Sequence, residues 1–250
     1  GGIIKKGIPL VLGRSEETYK QVLLDMAGEK QAPVSVADAT YVPAFFTLNP
    51  EGSMILRLRR TDSETLETYT CDLSGGYQQE NLITALTSLE ILQHSGWSIP
   101  REAIEKGFSR IEENTGIKGR WQTVGNNPRS ICDTAHNRDG IAAVMQQVAQ
   151  VPRKKLHMVW GMVSDKDLDS ILPLLPIDAR YYFTPCSVPR SMDAHKLQTA
   201  AAGFGLKGSV YPDVEEAYRA ASQAAGPDDL IFTGGSTFVV ADLLSSDLIS

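Results

Sequence analysis

Cysteine is scarce in this chain of 250 residues: Cys71, Cys132 and Cys186 are far apart and odd in number. That rules out a disulfide framework, and no pair has zinc-ligand spacing; three dispersed thiols suit a reducing cytoplasm, where we expect the protein to work. Histidine is equally thin. Four residues, His94, His136, His157 and His195, lie in unrelated contexts, too few and too scattered for a His-based metal centre, so no metal ligand is assigned in this chain. No apolar run approaches the roughly 20 residues of a membrane helix, and no membrane partner is expected. Positive charge is in deficit, 24 Lys and Arg against 30 Asp and Glu, net −6. General nucleic-acid binding, which shows as a basic surface, is not expected, although a local basic pocket for a phosphorylated ligand is compatible with the count.

Two chemical signatures are also missing. There is no G-x-x-x-x-G-K-[ST] phosphate loop and no G-x-S-x-G nucleophile elbow. The segment GFGLKG, 203–208, matches G-x-G-x-x-G. It follows a predicted helix and precedes a predicted strand, the reverse of a dinucleotide fingerprint, and reads as a helix stop.

What remains is an ordinary globular composition, 42% hydrophobic and 22% charged, with length enough for a core. Residues 1–75 read as mixed α/β: a strand at IPLVLG, a helix over SEETYKQVLLDMAGEK with Ser15 as N-cap and Glu17 and Lys20 on one face, a strand at APVSVADA, then hairpins with Asn-Pro and Glu-Gly turns. Two helices follow. The first, 79–94, aligns Leu82, Leu86, Leu89 and Leu92 and closes at His94 and Gly96; the second, 100–112, starts at Pro100. ENTGIKGRWQ has the look of a linker, which places a domain boundary near 115–120. The opening GGIIKKGIPLVLG starts almost in mid-strand, and we expect a fragment of a longer protein.

From residue 130 the pattern is regular. Apolar runs near 130–135, 156–161, 180–184, 208–211 and 229–233 alternate with helical patterns near 138–150, 167–175, 192–202, 213–225 and 237–245. Strand–helix alternation of this kind predicts a parallel sheet with right-handed crossovers, with ligands at the carboxyl ends of the strands. Those ends carry Asp133–Asn137, Gly161–Lys166, Thr184–Arg190 and Gly234–Thr237.

Each polar cluster has two readings. In CDTAHN, Asn137 is a good N-cap for the helix at 138–150, and a helix N-terminus is also an anion site; spacing alone weighs the two about evenly. GGS at 234–236 is a tight strand–helix turn capped by Ser236, or an anion cradle. In SDKD, Ser164 or Asp165 caps a helix, and Lys166 is a surface charge or a ligand contact. Arg190, before another helix start, carries the same ambiguity. Arg120, between Gly119 and Trp121, can reach a cleft, where a guanidinium suits phosphate.

In order, GIIKKGIPLVLG, GGYQQENLITAL, GRWQ, CDTAHNRDG, WGMVSDKD, FTPCSVPRSMDAHKL and FTGGSTFVVADLL resemble the bifunctional dihydrofolate synthase/folylpolyglutamate synthase family of the Mur ligase superfamily. The resemblance covers nearly the whole chain. It implies an α/β architecture: a Rossmann-like, mostly parallel sheet domain over residues 117–250, preceded by the tail of a mixed α/β central ATPase domain over 1–116 that holds no P-loop.

It also implies an ATP-dependent carbon–nitrogen ligase. ATP and Mg²⁺ activate a carboxylate of dihydropteroate or of a folate glutamyl tail as an acyl phosphate, which the amine of L-glutamate attacks. Metal ligands are expected in the missing N-terminal part, and this chain by itself is expected to be inactive. On the family pattern Asn81 contacts adenine, Arg120 the ATP phosphates and Asp133 the ribose. His136 lies near the reacting groups, and Lys166 and Ser236 are looser candidates for glutamate or phosphate. Tyr77 stands where the family often has His, and Trp121 where it has Phe. A monomer is expected. The other functions weighed are a non-catalytic nucleotide-binding module and a sister Mur-type amino-acid ligase.

Overall fold

The structure is a computed structural model that describes residues 2–13, 17–49 and 52–249, the side chains of Glu17 and Thr18 excepted. Ser15, Pro50 and Glu51, expected in a cap and a turn, and the expected Glu17–Lys20 pair lie outside that description. The chain divides into two compact units, Gly1–Gly116 and Ile117–Ser250.

The first unit contains β1 (Leu10–Leu12), α1 (Glu17–Glu29), β2 (Val34–Val36), α2 (Ala37–Thr40), β3 (Tyr41–Leu48), β4 (Met54–Arg60), β5 (Leu66–Cys71), α3 (Gln78–His94), α4 (Arg101–Phe108) and α5 (Ile111–Thr115). β1 and β2 pair in parallel, while β3, β4 and β5 form an antiparallel meander. In β4 the period of two is plain: Met54, Leu56 and Leu58 are buried while Arg57 and Arg59 are exposed. The buried face shares one core with Leu82, Ile83 and Leu86 of α3. Leu92, expected on the same stripe, is exposed.

α3 ends in a Schellman turn. Gly96 takes φ +96°, its N–H donates to Gln93 O at 3.0 Å, and Trp97 N–H donates to Leu92 O at 3.1 Å. The single helix expected over 100–112 is broken. α4 stops at Phe108 and α5 begins at Ile111, because Asp72 intervenes: its carboxylate accepts the Glu112 N–H at 2.9 Å and its own N–H donates to Phe108 O. A tertiary carboxylate supplies an N-terminal cap that local sequence does not show.

The second unit contains β6 (Gln122–Asn126), β7 (Arg129–Cys132), α6 (Arg138–Gln150), β8 (Leu156–Trp160), α7 (Leu168–Ile171) running into a 3-10 turn at Leu172–Leu174, β9 (Arg180–Phe183), α8 (Ala194–Gly203), β10 (Lys207–Val210), α9 (Val214–Ala224), β11 (Leu230–Gly234) and α10 (Thr237–Leu244). The strands form one sheet in the order β10-β9-β8-β11-β7-β6. Every pairing is parallel except β6 with β7. The fold is thus α/β with a mostly parallel sheet, as expected.

The antiparallel β6 was not foreseen. Its sequence QTVGN has no apolar run, it lies at the sheet edge, and its register shifts between Thr123 and Gly125. β8 and β11, inside the sheet, are buried at every residue, which explains their continuous apolar character. α6 buries Ile141, Val144, Met145 and Val148, one helical face. The last strand, β11, returns between β7 and β8, so the carboxyl ends of these three strands form a crevice of the kind in which open α/β sheets bind ligands.

Candidate functional site

The crevice is built from two short segments that hold each other. Gly119–Gln122 enters β6, and Asp133–Asn137 leaves β7. Thr134 N–H donates to Gly119 O at 2.9 Å, and Gly119 N–H donates to the Gln122 side-chain oxygen at 2.8 Å. GRWQ is therefore a turn pinned into the second unit, not a free linker. Gly119 has φ +70°, and a Cβ there would lie 2.7 Å from Val240 Cγ1 and 2.8 Å from Thr134 Cγ2. Neither backbone nor space admits a side chain.

Trp121 also takes a left-handed conformation, φ +51°, which costs a non-glycine residue about 1–3 kcal/mol. Asp133 offsets that cost. Its carboxylate, 1% exposed, accepts Trp121 N–H at 2.7 Å and Ala135 N–H at 2.8 Å. The indole of Trp121 is buried 6.2 Å from the Phe232 ring. Asp133 is the keystone of the turn, and the sequence signal for this was only a buried-type acid at a strand end.

Thr134 links the remaining groups. Its hydroxyl accepts a hydrogen bond from Arg120 Nη1. Its carbonyl accepts His136 Nδ1–H at 3.0 Å, and Thr237 Oγ1–H at 3.5 Å brings the start of α10 to the same atom. A carbonyl can only accept, so Nδ1 carries a proton, and in the neutral form of the ring Nε2 is an acceptor. His136 is exposed. Asn137 accepts Gly140 N–H at 2.8 Å and caps α6. Ser236, 2% exposed, accepts Phe238 N–H at 3.2 Å and caps α10, while Gly235 before it has φ +91°.

The capping expected of Ser164 and Asp165 is not found. Asp167 holds the cap position of α7 without a side-chain bond. Ser164 instead binds Arg190 O through both its N–H, 2.9 Å, and its hydroxyl, 3.1 Å. Asp165 pairs with Arg190 at 3.6 Å, and that guanidinium lies 5.2 Å above the Phe238 ring. Arg190 thus ties the loops after β8 and β9 to α10. Lys166, half-buried, has no hydrogen-bond or ion-pair partner among the described residues.

The second unit therefore brings together Arg120, Asp133 and His136 through Thr134, with Lys166 and Ser236 on the same sheet edge. Asn81 belongs to the first unit. It is exposed on α3 and donates to the Gln78 side chain at 2.7 Å. Tyr77, just before that helix, stacks close over Gly75, whose Cβ would fall 2.8 Å from the ring. Cys132, at the site's base, is no nucleophile: burial first, then the charge of Asp133, pushes its thiol up to about 12. Among the described residues no three His, Cys, Asp or Glu could hold a metal ion, and none of their helices is long and apolar enough to cross a membrane.

The second unit, a mostly parallel sheet with an antiparallel edge and glycine-flanked turns at its carboxyl ends, matches the Mur ligase, glutamate ligase domain over residues 119–237. The chain as a whole is related to the dihydrofolate synthase/folylpolyglutamate synthases. It is 24% identical over 246 residues to the Bacillus subtilis dihydrofolate synthase/folylpolyglutamate synthase, covering 97% of this chain and 55% of the relative. Escherichia coli FolC in complex with DHPP and ADP superposes with a TM-score of 0.79 at 26% identity, over 97% of this chain and 54% of that one. The Yersinia pestis bifunctional folylpolyglutamate synthase/dihydrofolate synthase with Mn, AMPPNP and L-glutamate bound gives 0.73 at 27% identity, over 98% and 54%. The chain spans about half the length of these proteins.

Proposed function

We propose that these residues form the part of an ATP-dependent ligase that handles nucleotide and glutamate, in an enzyme that adds L-glutamate to dihydropteroate or a folylpolyglutamate through an acyl phosphate. The observation that carries the reading is the Arg120–Thr134–His136 corner in the crevice of β7, β11 and β8. It ties a guanidinium and an imidazole to one threonine, within the residues that match the Mur ligase, glutamate ligase domain.

The roles follow from the chemistry of each group. Arg120 offers a planar fork to ATP phosphates and to the charge that develops as the acyl phosphate forms. The attacking amine of glutamate must shed a proton to expose its lone pair; His136 Nε2 is proposed to take it. The new C–N bond forms as the acyl C–O bond breaks and phosphate leaves. Lys166 and the hydroxyl proton of Ser236 are proposed for the glutamate carboxylates or the departing phosphate. Asn81 is proposed for adenine. Asp133 is proposed for the ribose as well as for shaping the turn. Mg²⁺ finds no ligand cluster among the described residues. The relatives are about twice as long and this chain has no P-loop motif, so turnover is proposed for the complete ligase and not for these 250 residues alone.

The experiment incubates ATP, Mg²⁺, dihydropteroate and L-glutamate with the complete ligase and, in parallel, with the 250-residue chain. Dihydrofolate and ADP are expected in equal amounts from the first and neither from the second. Turnover by the short chain, or nucleotide hydrolysis without glutamate incorporation by the long one, would overturn the reading. Tight binding of NAD in calorimetry, with ATP ignored, would favour a nucleotide-binding module without chemistry.

A further inference from the structure

We propose that Thr134 is a positioning residue that sets the geometry of Arg120 through its side chain and of His136 through its backbone, one residue orienting both groups of the corner. Its catalytic consequence rests on the ligase reading above; its structural content does not.

Five contacts converge on it. The hydroxyl oxygen accepts from Arg120 Nη1, the methyl Cγ2 occupies the space beside Gly119, the N–H donates to Gly119 O, and the carbonyl accepts from both His136 Nδ1 and Thr237 Oγ1. Thr134 is 5% exposed, so its rotamer is held by packing while Arg120 and His136 lie nearer the surface. An Arg side chain has several soft torsions, and a fork aimed at phosphate is useful only if they are restrained before the ligand arrives. The buried hydroxyl restrains the guanidinium at one end. The carbonyl selects one imidazole tautomer and leaves Nε2 outward. Two groups that act on different atoms of one reaction are thus held against the same rigid residue.

Two substitutions separate the hydroxyl from the methyl. Thr134→Val keeps a methyl beside Gly119 and deletes the acceptor; Thr134→Ser keeps the acceptor and deletes the methyl. Both leave the carbonyl. In nitrogen NMR of the 250-residue chain, the Arg120 guanidinium is expected to rotate slowly in the parent and in Thr134→Ser but fast in Thr134→Val. His136 should keep Nδ1 protonated in all three. In the complete ligase Thr134→Val should lower kcat about tenfold without raising the KM for glutamate, and Thr134→Ser should restore it.

Slow rotation persisting in Thr134→Val, or equal loss in both variants, would overturn the role of the hydroxyl. A His136 ring protonated at Nε2 and bare at Nδ1 would overturn the role of the carbonyl. Should the parent ligase form no dihydrofolate, the ligase reading fails while the NMR result still decides the positioning. Normal kcat in Thr134→Val alongside a freed guanidinium would confine Thr134 to structure and overturn its part in catalysis.

Discussion

Replacing Asp133 by Asn tests whether the corner is held by charge. The side chain keeps its size and its burial, 1% exposed, but offers one oxygen where there were two. In the parent the two oxygens accept Trp121 N–H at 2.7 Å and Ala135 N–H at 2.8 Å. In Asp133→Asn one of these donors meets the amide NH₂, a donor facing a donor. The loss is one charge-assisted bond plus the cost of a buried N–H without a partner, together about 3 kcal/mol. Where the amide faces Trp121, that residue keeps its left-handed φ of +51° without the bond that offsets it. For a domain of this size the melting temperature should fall on the order of 10 °C. Scanning calorimetry without nucleotide reads the loss directly, and near-ultraviolet circular dichroism reports the buried Trp121. If Asp133 served a ribose alone, the nucleotide-free protein would not notice the change. A loss under about 0.5 kcal/mol, the scale of an ordinary surface substitution, would refute the keystone reasoning.

Gly119→Ala forces a Cβ into 2.7 Å and 2.8 Å contacts at φ +70°; urea unfolding should show a loss of about 1–3 kcal/mol, and an unchanged midpoint would contradict the packing described. Arg120→Ala in the complete ligase should slow turnover on the order of 10²–10³-fold, since a developing phosphate charge loses its partner; parental rates would remove Arg120 from the site. The third concerns pH. Burial holds the His157 imidazole below its ordinary 6.5, against the opposing pull of Asp229 at 3.4 Å. The unfolded chain therefore takes up a proton that the folded one refuses, so this contribution is full above pH 6.5 and declines as pH falls toward the lower folded value. Asp229, held below 3.8 chiefly by the Gly226 N–H, adds a separate loss as pH drops below 3.8 and through its lower folded value. Stability against urea, measured downward from neutral pH, should fall less steeply in His157→Gln than in the parent; parallel curves would refute the assignment.

The strands and helices of the second unit were legible because period and punctuation agree there. Three of the apolar runs stop at Asp133, Gly161 and Gly234, and Asn137 and Ser236 occupy the cap positions the sequence suggested. β6 escaped because an edge strand needs no apolar run. The break at Ser109–Arg110 escaped because its cap, Asp72, comes from a distant part of the chain. Ser164 and Asp165 resembled a cap by spacing, yet both pair with Arg190, from the loop after β9. Of the candidate site, the gathering of its loops at the carboxyl ends of the strands was legible from strand–helix alternation. The pairing of Arg120 with Thr134 was not, since fourteen positions separate them and a threonine between Asp and Ala carries no local signal.

The alternation of strand and helix was sufficient to assign an α/β domain with a parallel sheet, because it depends on local periodicity, and the linear order of motifs carried the resemblance to the folate ligases. Tertiary structure alone decided which carboxylate holds a turn, which imidazole nitrogen carries the proton and which hydroxyl aims the guanidinium. Two of these join residues twelve and fourteen positions apart, which the antiparallel pairing of β6 with β7 brings within a few ångströms; the imidazole contact spans two positions and depends on the path the chain takes as it leaves β7.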